Sequence, residues 1–102
     1  MPKFVRVATT SEIADQSATC VEVEGKRVAI FNLGGEFYAI DDTCTHRGGP
    51  LSEGSVQGEE VECPWHGAHF NIKSGEATGP PAAEGVTNYT VRLVGDAIEI
   101  EV

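Results

Sequence analysis

Apolar residues recur at every second position over much of this chain, the period of a strand with one face buried. Phe4-Val5-Arg6-Val7 opens as a strand. Thr19 to Glu24 alternates, with Val21 and Val23 on one face, and a turn at Gly25-Lys26 leads into Arg27-Val28-Ala29-Ile30-Phe31. A second turn, Gly34-Gly35, leads into Glu36-Phe37-Tyr38-Ala39-Ile40, so the pattern predicts a β-meander. Ahead of it, Ser11-Glu12-Ile13-Ala14-Asp15 predicts one helical turn capped by Ser11. Near the other end, Thr87 to Val94 and Ala97 to Val102 predict a closing hairpin through Gly95-Asp96. No long helical period and no internal repeat interrupts this reading.

The middle of the chain breaks the alternation. Val61-Glu62 enters a loop, Phe70-Asn71-Ile72 leaves one, Ser74-Gly75 turns the chain, and Gly79-Pro80-Pro81-Ala82 has to be irregular. The prediction is a single all-β domain. Residues 1–42 and 83–102 form a small antiparallel β-sandwich or barrel, and 43–82 form an inserted, loop-rich subdomain.

That insertion carries the candidate chemistry. Cys44-Thr45-His46 precedes Arg47-Gly48-Gly49-Pro50-Leu51, and Cys63-Pro64-Trp65-His66 precedes Gly67-Ala68-His69-Phe70. The pattern is C-x-H, sixteen residues, then C-x-x-H. A Cys–His pair one residue apart cannot share a helix face; it fits a tight loop, and the glycines and prolines around both pairs supply the turns. Two thiolates and two imidazoles suit a [2Fe-2S] centre in which two histidines replace two cysteines on one iron. Zinc also accepts this donor set. Zinc-finger spacing, however, groups cysteines with cysteines and histidines with histidines, usually around a short helix, so the mixed pairs favour iron–sulfur.

On this double motif, and over essentially its whole length, the chain resembles a Rieske-type [2Fe-2S] ferredoxin. The resemblance is to the low-potential branch without a membrane anchor, the ferredoxin components of ring-hydroxylating dioxygenase systems. It implies one cluster per chain, with Cys44 and Cys63 on the buried iron and His46 and His66 on the iron nearer solvent. It also implies that Gly79-Pro80-Pro81 lies against the cluster. High-potential relatives carry an additional disulfide and hydroxyl donors to sulfur. The matching positions here are Gly49 and Trp65 for the bridge, and Ala68 and Phe70 for the hydroxyls. With both features missing, the potential is expected near the lower end of the Rieske range, roughly −150 mV rather than +300 mV.

The implied function is a one-electron carrier, not an enzyme on its own and without catalytic residues. It would pass electrons from a flavin ferredoxin reductase to a terminal non-haem iron oxygenase of the aromatic-ring dioxygenase type. The alternative is the small Rieske subunit of an assimilatory nitrite reductase, bound to its large subunit; a structural zinc module is a third class. No G-x-G-x-x-G nucleotide fingerprint is present.

Charge narrows the partners. Sixteen acids against seven bases give −9, which argues against nucleic acid and anionic membrane. Asp41 and Asp42 precede the first pair, and Glu53, Glu59, Glu60 and Glu62 lie between the two. They are expected as a solvated surface that also steers a basic partner. Two of the three cysteines belong to the motif and Cys20 has no counterpart, which fits a cytoplasmic protein. The opening residues lack the apolar stretch of a signal peptide, and no run approaches the about 20 residues of a membrane span. Among the remaining candidates, His69 is expected on an exposed strand face and Cys20 as a partly exposed non-ligand. Trp65 is expected either in the core or shielding the cluster. Arg47 is either a surface charge or a partner for Glu53.

Overall fold

The computed structural model describes residues 3–44, 49–65, 67–79 and 85–102. Eleven strands and two short 3-10 turns make up its regular structure, with no α-helix among the described residues. The meander is present: β2 (Ser17–Val23), β3 (Lys26–Leu33) and β4 (Glu36–Asp41) pair antiparallel in succession. The first turn, though, is Glu24-Gly25, one residue earlier than the pattern suggested. Both residues have positive φ, as do Gly34 and Gly35 in the second turn. That left-handed geometry matches the twist of two-residue hairpins and suits glycine. β1 (Phe4–Thr9) lies in a different sheet and pairs with β11 (Ala97–Glu101).

The predicted closing strand is two strands. β9 (Asn88–Tyr89) pairs with β4, whereas β10 (Val91–Val94) pairs with β11. The chain changes sheets at Thr90 and so ties the two basal sheets together at a corner. The helical turn is also shorter and earlier than expected. It covers Thr10–Glu12 and its cap is Thr9, not Ser11; the Glu12 carboxylate reaches back to the Thr9 N–H at 2.7 Å.

A third sheet occupies the middle of the chain, in the order β5 (Ser55–Gln57), β6 (Glu60–Glu62), β7 (His69–Asn71), β8 (Ala77–Gly79). Each strand has three residues, too few to show a period against the turn residues around them. The pattern therefore singles out neither β5 nor β8 within the loop-rich insertion. Of the predicted irregular stretch, Gly79 ends β8, and Pro80, Pro81 and Ala82 lie outside the described residues.

The β2–β3–β4 sheet is covered on both faces. Val28 and Ile30 join Ala8, Ile13, Val23, Ala39, Ile98 and Ile100 in one core. Ala29 and Phe31, the intervening residues of β3, join Ile40, Leu51, Val61, Phe70 and Ile72 in the other. This is why residues 28–31 of β3 read Val-Ala-Ile-Phe without a polar residue: where the strand is covered on both faces, all four side chains are buried.

Candidate metal centre

The second core contains the two motif cysteines. Cys44, just beyond β4, is 2% exposed, and Cys63, directly after β6, is 1% exposed. Each closes a loop in the same way. The Cys44 N–H donates to the Gly49 carbonyl at 2.9 Å, and the Cys63 N–H to the Ala68 carbonyl at 2.6 Å. In sequence, His46 falls inside the first of these six-residue closures and His66 inside the second. Both histidines lie outside the described residues, as does Arg47.

The two loops are packed against each other. A Cβ added at Gly49 would stand 2.7 Å from the Cys63 sulfur and about 3 Å from the Trp65 side chain. Only glycine permits so close an approach. The two thiols are near enough to interact: burial pushes the Cys63 thiol up, the Trp65 N–H at 3.4 Å from its sulfur opposes this, and the Cys44 thiol raises it further. A thiol raised in this way is poorly placed to ionise unless a cation holds it. That is the donor chemistry of a thiolate-bound iron, and the described residues fit it.

Trp65 is on the surface, 50% exposed, with its base against Gly49. Gly49 and Trp65, the positions matched to the additional disulfide, are thus direct neighbours. Ala68 and Phe70 are fully buried and bring no hydroxyl to the sulfurs. His69 is half-buried between carboxylates, 3.5 Å from Glu60 and 4.0 Å from Glu62. Cys20 is partly exposed near Arg27 and Asp42, and burial raises its thiol pKa.

Residues 3–90 match the Rieske [2Fe-2S] domain. The chain belongs to the Rieske family. The ferredoxin component of the naphthalene 1,2-dioxygenase system of Pseudomonas aeruginosa is 33% identical over 97% of this chain and 95% of its own length. Among solved structures, the ferredoxin of carbazole 1,9a-dioxygenase from Nocardioides aromaticivorans IC177 superposes with a TM-score of 0.92 at 32% identity, covering 96% of both chains. A ferredoxin from a complex of reduced oxygenase and oxidised ferredoxin in carbazole 1,9a-dioxygenase gives 0.90 at 30% identity, over 95% of this chain and 91% of that one. The cofactor of this Rieske domain is a [2Fe-2S] cluster.

Two expectations need correction. Asp42 is no surface acid: it is 1% exposed. Asp41 is half-buried and accepts the Tyr89 hydroxyl. Glu59 pairs with Lys73 at 3.1 Å and, like Glu53 beside the site, stays exposed. The inward position of Asp42 was legible, because Tyr38 and Ile40 alternate toward the second core and Asp42 continues that parity. The cradle at Gly49 had no comparable signal, since glycine in a loop is ordinary.

Proposed function

We propose that this chain is the ferredoxin component of a ring-hydroxylating dioxygenase system, with its cluster held by Cys44, His46, Cys63 and His66. The observation that carries the ligand set is the pair of buried, interacting thiols at the necks of two matching closures, each with one motif histidine inside. Composition adds a constraint. Four cysteines would be needed for an all-cysteine cluster, and the chain has three. The cysteines, in the core, hold the inner iron; the histidines hold the outer one, beside exposed Trp65.

Once bound, the cluster supplies reversible transfer of a single electron. The protein's own residues do the rest. Leu51, Val61, Phe70 and Ile72 exclude water from the inner side. The loop closures at Cys44 and Cys63 fix the sulfurs. Trp65 offers an aromatic surface to a docking partner. Residues 43–82 act as the cluster-binding subdomain on the basal sandwich of 1–42 and 83–102, an assignment supported by the separate third sheet.

Electrons come from a flavin ferredoxin reductase and go to a terminal oxygenase. The dioxygenase reading is preferred to the nitrite reductase subunit because ferredoxin components match nearly all of this chain at 32–33% identity, against 23% for a nitrite reductase small subunit. No helix among the described residues is long and apolar enough to cross a membrane. A cytoplasmic location fits the odd number of cysteines, two of them in the ligand motif. Replacing Cys44, His46, Cys63 or His66 with Ala should each abolish the native visible and EPR spectra, while Cys20→Ser and His69→Ala keep them. A native spectrum in Cys63→Ala would overturn the ligand set. Purification with a large sirohaem protein bound would favour the nitrite reductase alternative.

A further inference from the structure

Asp42 is the one acidic residue buried among the described residues, and the function above gives it no task. Two of its contacts reach the first ligand loop, and the others hold it to β2 and β3. One carboxylate oxygen accepts the Ser52 N–H at 2.7 Å, and its main-chain carbonyl accepts the Leu51 N–H at 2.7 Å. Its own N–H donates to the Arg27 carbonyl at 3.0 Å, anchoring it to β3, and the Arg27 guanidinium stands 3.7 Å from its second oxygen. One residue therefore grips the outgoing side of the loop, Leu51 and Ser52, from the incoming side, two positions before Cys44. Inside that grip, Thr43 bridges Pro50 and Cys44 bonds Gly49.

A buried carboxylate is costly unless it is hydrogen-bonded, so a loop held only for shape would be closed more cheaply by apolar contacts. The carboxylate gives directionality instead. A charge-assisted bond to Ser52 fixes the distance between the two ends of the loop. We propose that Asp42 is a positioning residue: it clamps the base of the loop holding Cys44 and His46, so that both ligands meet the cluster in one geometry. This rests on the ligand set proposed above.

The test compares Asp42→Asn, which keeps an acceptor for Ser52, with Asp42→Ala, which leaves that N–H without one. Arg27→Gln serves as a mild control, since the guanidinium is 59% exposed. The readouts are the rate of cluster loss to a chelator and the EPR line width of the reduced protein. Asp42→Ala should lose its cluster about tenfold faster, in line with a lost charge-assisted bond and a stranded donor. Its EPR lines should broaden as ligand geometries spread. Asp42→Asn and Arg27→Gln should stay within about twofold of wild type. A merely structural Asp42 would lower the melting temperature of Asp42→Ala with cluster loss and line width unchanged, which would overturn the proposal. If Asp42→Ala does not fold, amide exchange on the wild-type holoprotein decides: Ser52 must be as protected as the β3 amides, and fast exchange there would overturn the clamp. Cys44→Ala in parallel separates the two failures. If it keeps the cluster, the ligand set is wrong; if it loses the cluster while Asp42→Ala behaves as wild type, only the clamp is wrong.

Discussion

The two faces of β3 meet cores built on different terms. The basal core, around Val28 and Ile30, buries aliphatic side chains, with Phe37 and Tyr89 packed against it, and joins strands of up to eight residues. The cluster-side core, around Ala29 and Phe31, includes two thiols and is covered by strands of three residues. The first is stable through burial. The second closes its loops through backbone bonds and buries a thiol at each closure. The folding scaffold and the redox site are thus separable, although they share a sheet.

The strongest way to break this comparison is to remove the metal's grip. Cys44→Ala or Cys63→Ala should eliminate the cluster altogether. Hydrogen exchange should then quicken in β5–β8 and remain near native around Ile30, Ile98 and Ile100. Uniform loosening of both cores would mean that they do not behave separately.

The next test uses neighbours on one strand. Ile30 and Phe31 are both fully buried but face opposite cores. Ile30→Ala should cost about 2–5 kcal/mol and Phe31→Ala about 3–5 kcal/mol in chemical denaturation. Only Phe31→Ala should also speed cluster loss.

Sequence legibility divides along the same line. The basal strands were readable because five or more residues in register show a period of two, and Gly25 and Gly34-Gly35 mark their turns to within one residue. The corner at Thr90 was not readable, since alternation continues unbroken while the hydrogen-bond partner changes from β4 to β11. In the cluster region the ligand motif was plain, whereas the three-residue strands β5 and β8 were hidden. The roles of Asp42 and Gly49 depend on contacts across the fold that residue type alone does not disclose.

A smaller effect sharpens the view of the interleaved loops. Gly49→Ala drives a methyl toward the Cys63 sulfur and should destabilise the holoprotein by about 1–3 kcal/mol. The same change at Gly58, whose added Cβ meets nothing within 4 Å, should leave the cluster spectrum unaltered despite its backbone strain at φ 63°.

The smallest effect belongs to the basal side. The Tyr89 hydroxyl is pushed well above its ordinary range by burial first, then by its bond to Asp41 and the charge there. Because the folded pKa is raised, this contribution is complete below about pH 10 and is lost as pH climbs further. Tyr89→Phe should cost about 1 kcal/mol at neutral pH. It should also remove that part of the alkaline decline, as read from denaturation midpoints across pH.

The account stands or falls on histidine nitrogen bound to iron. Pulsed EPR of the anaerobically reduced protein should resolve two strongly coupled nitrogens, and replacing either His46 or His66 with Ala should destroy that pattern. A signal without directly bound nitrogen, or a colourless zinc protein with no signal, would contradict it.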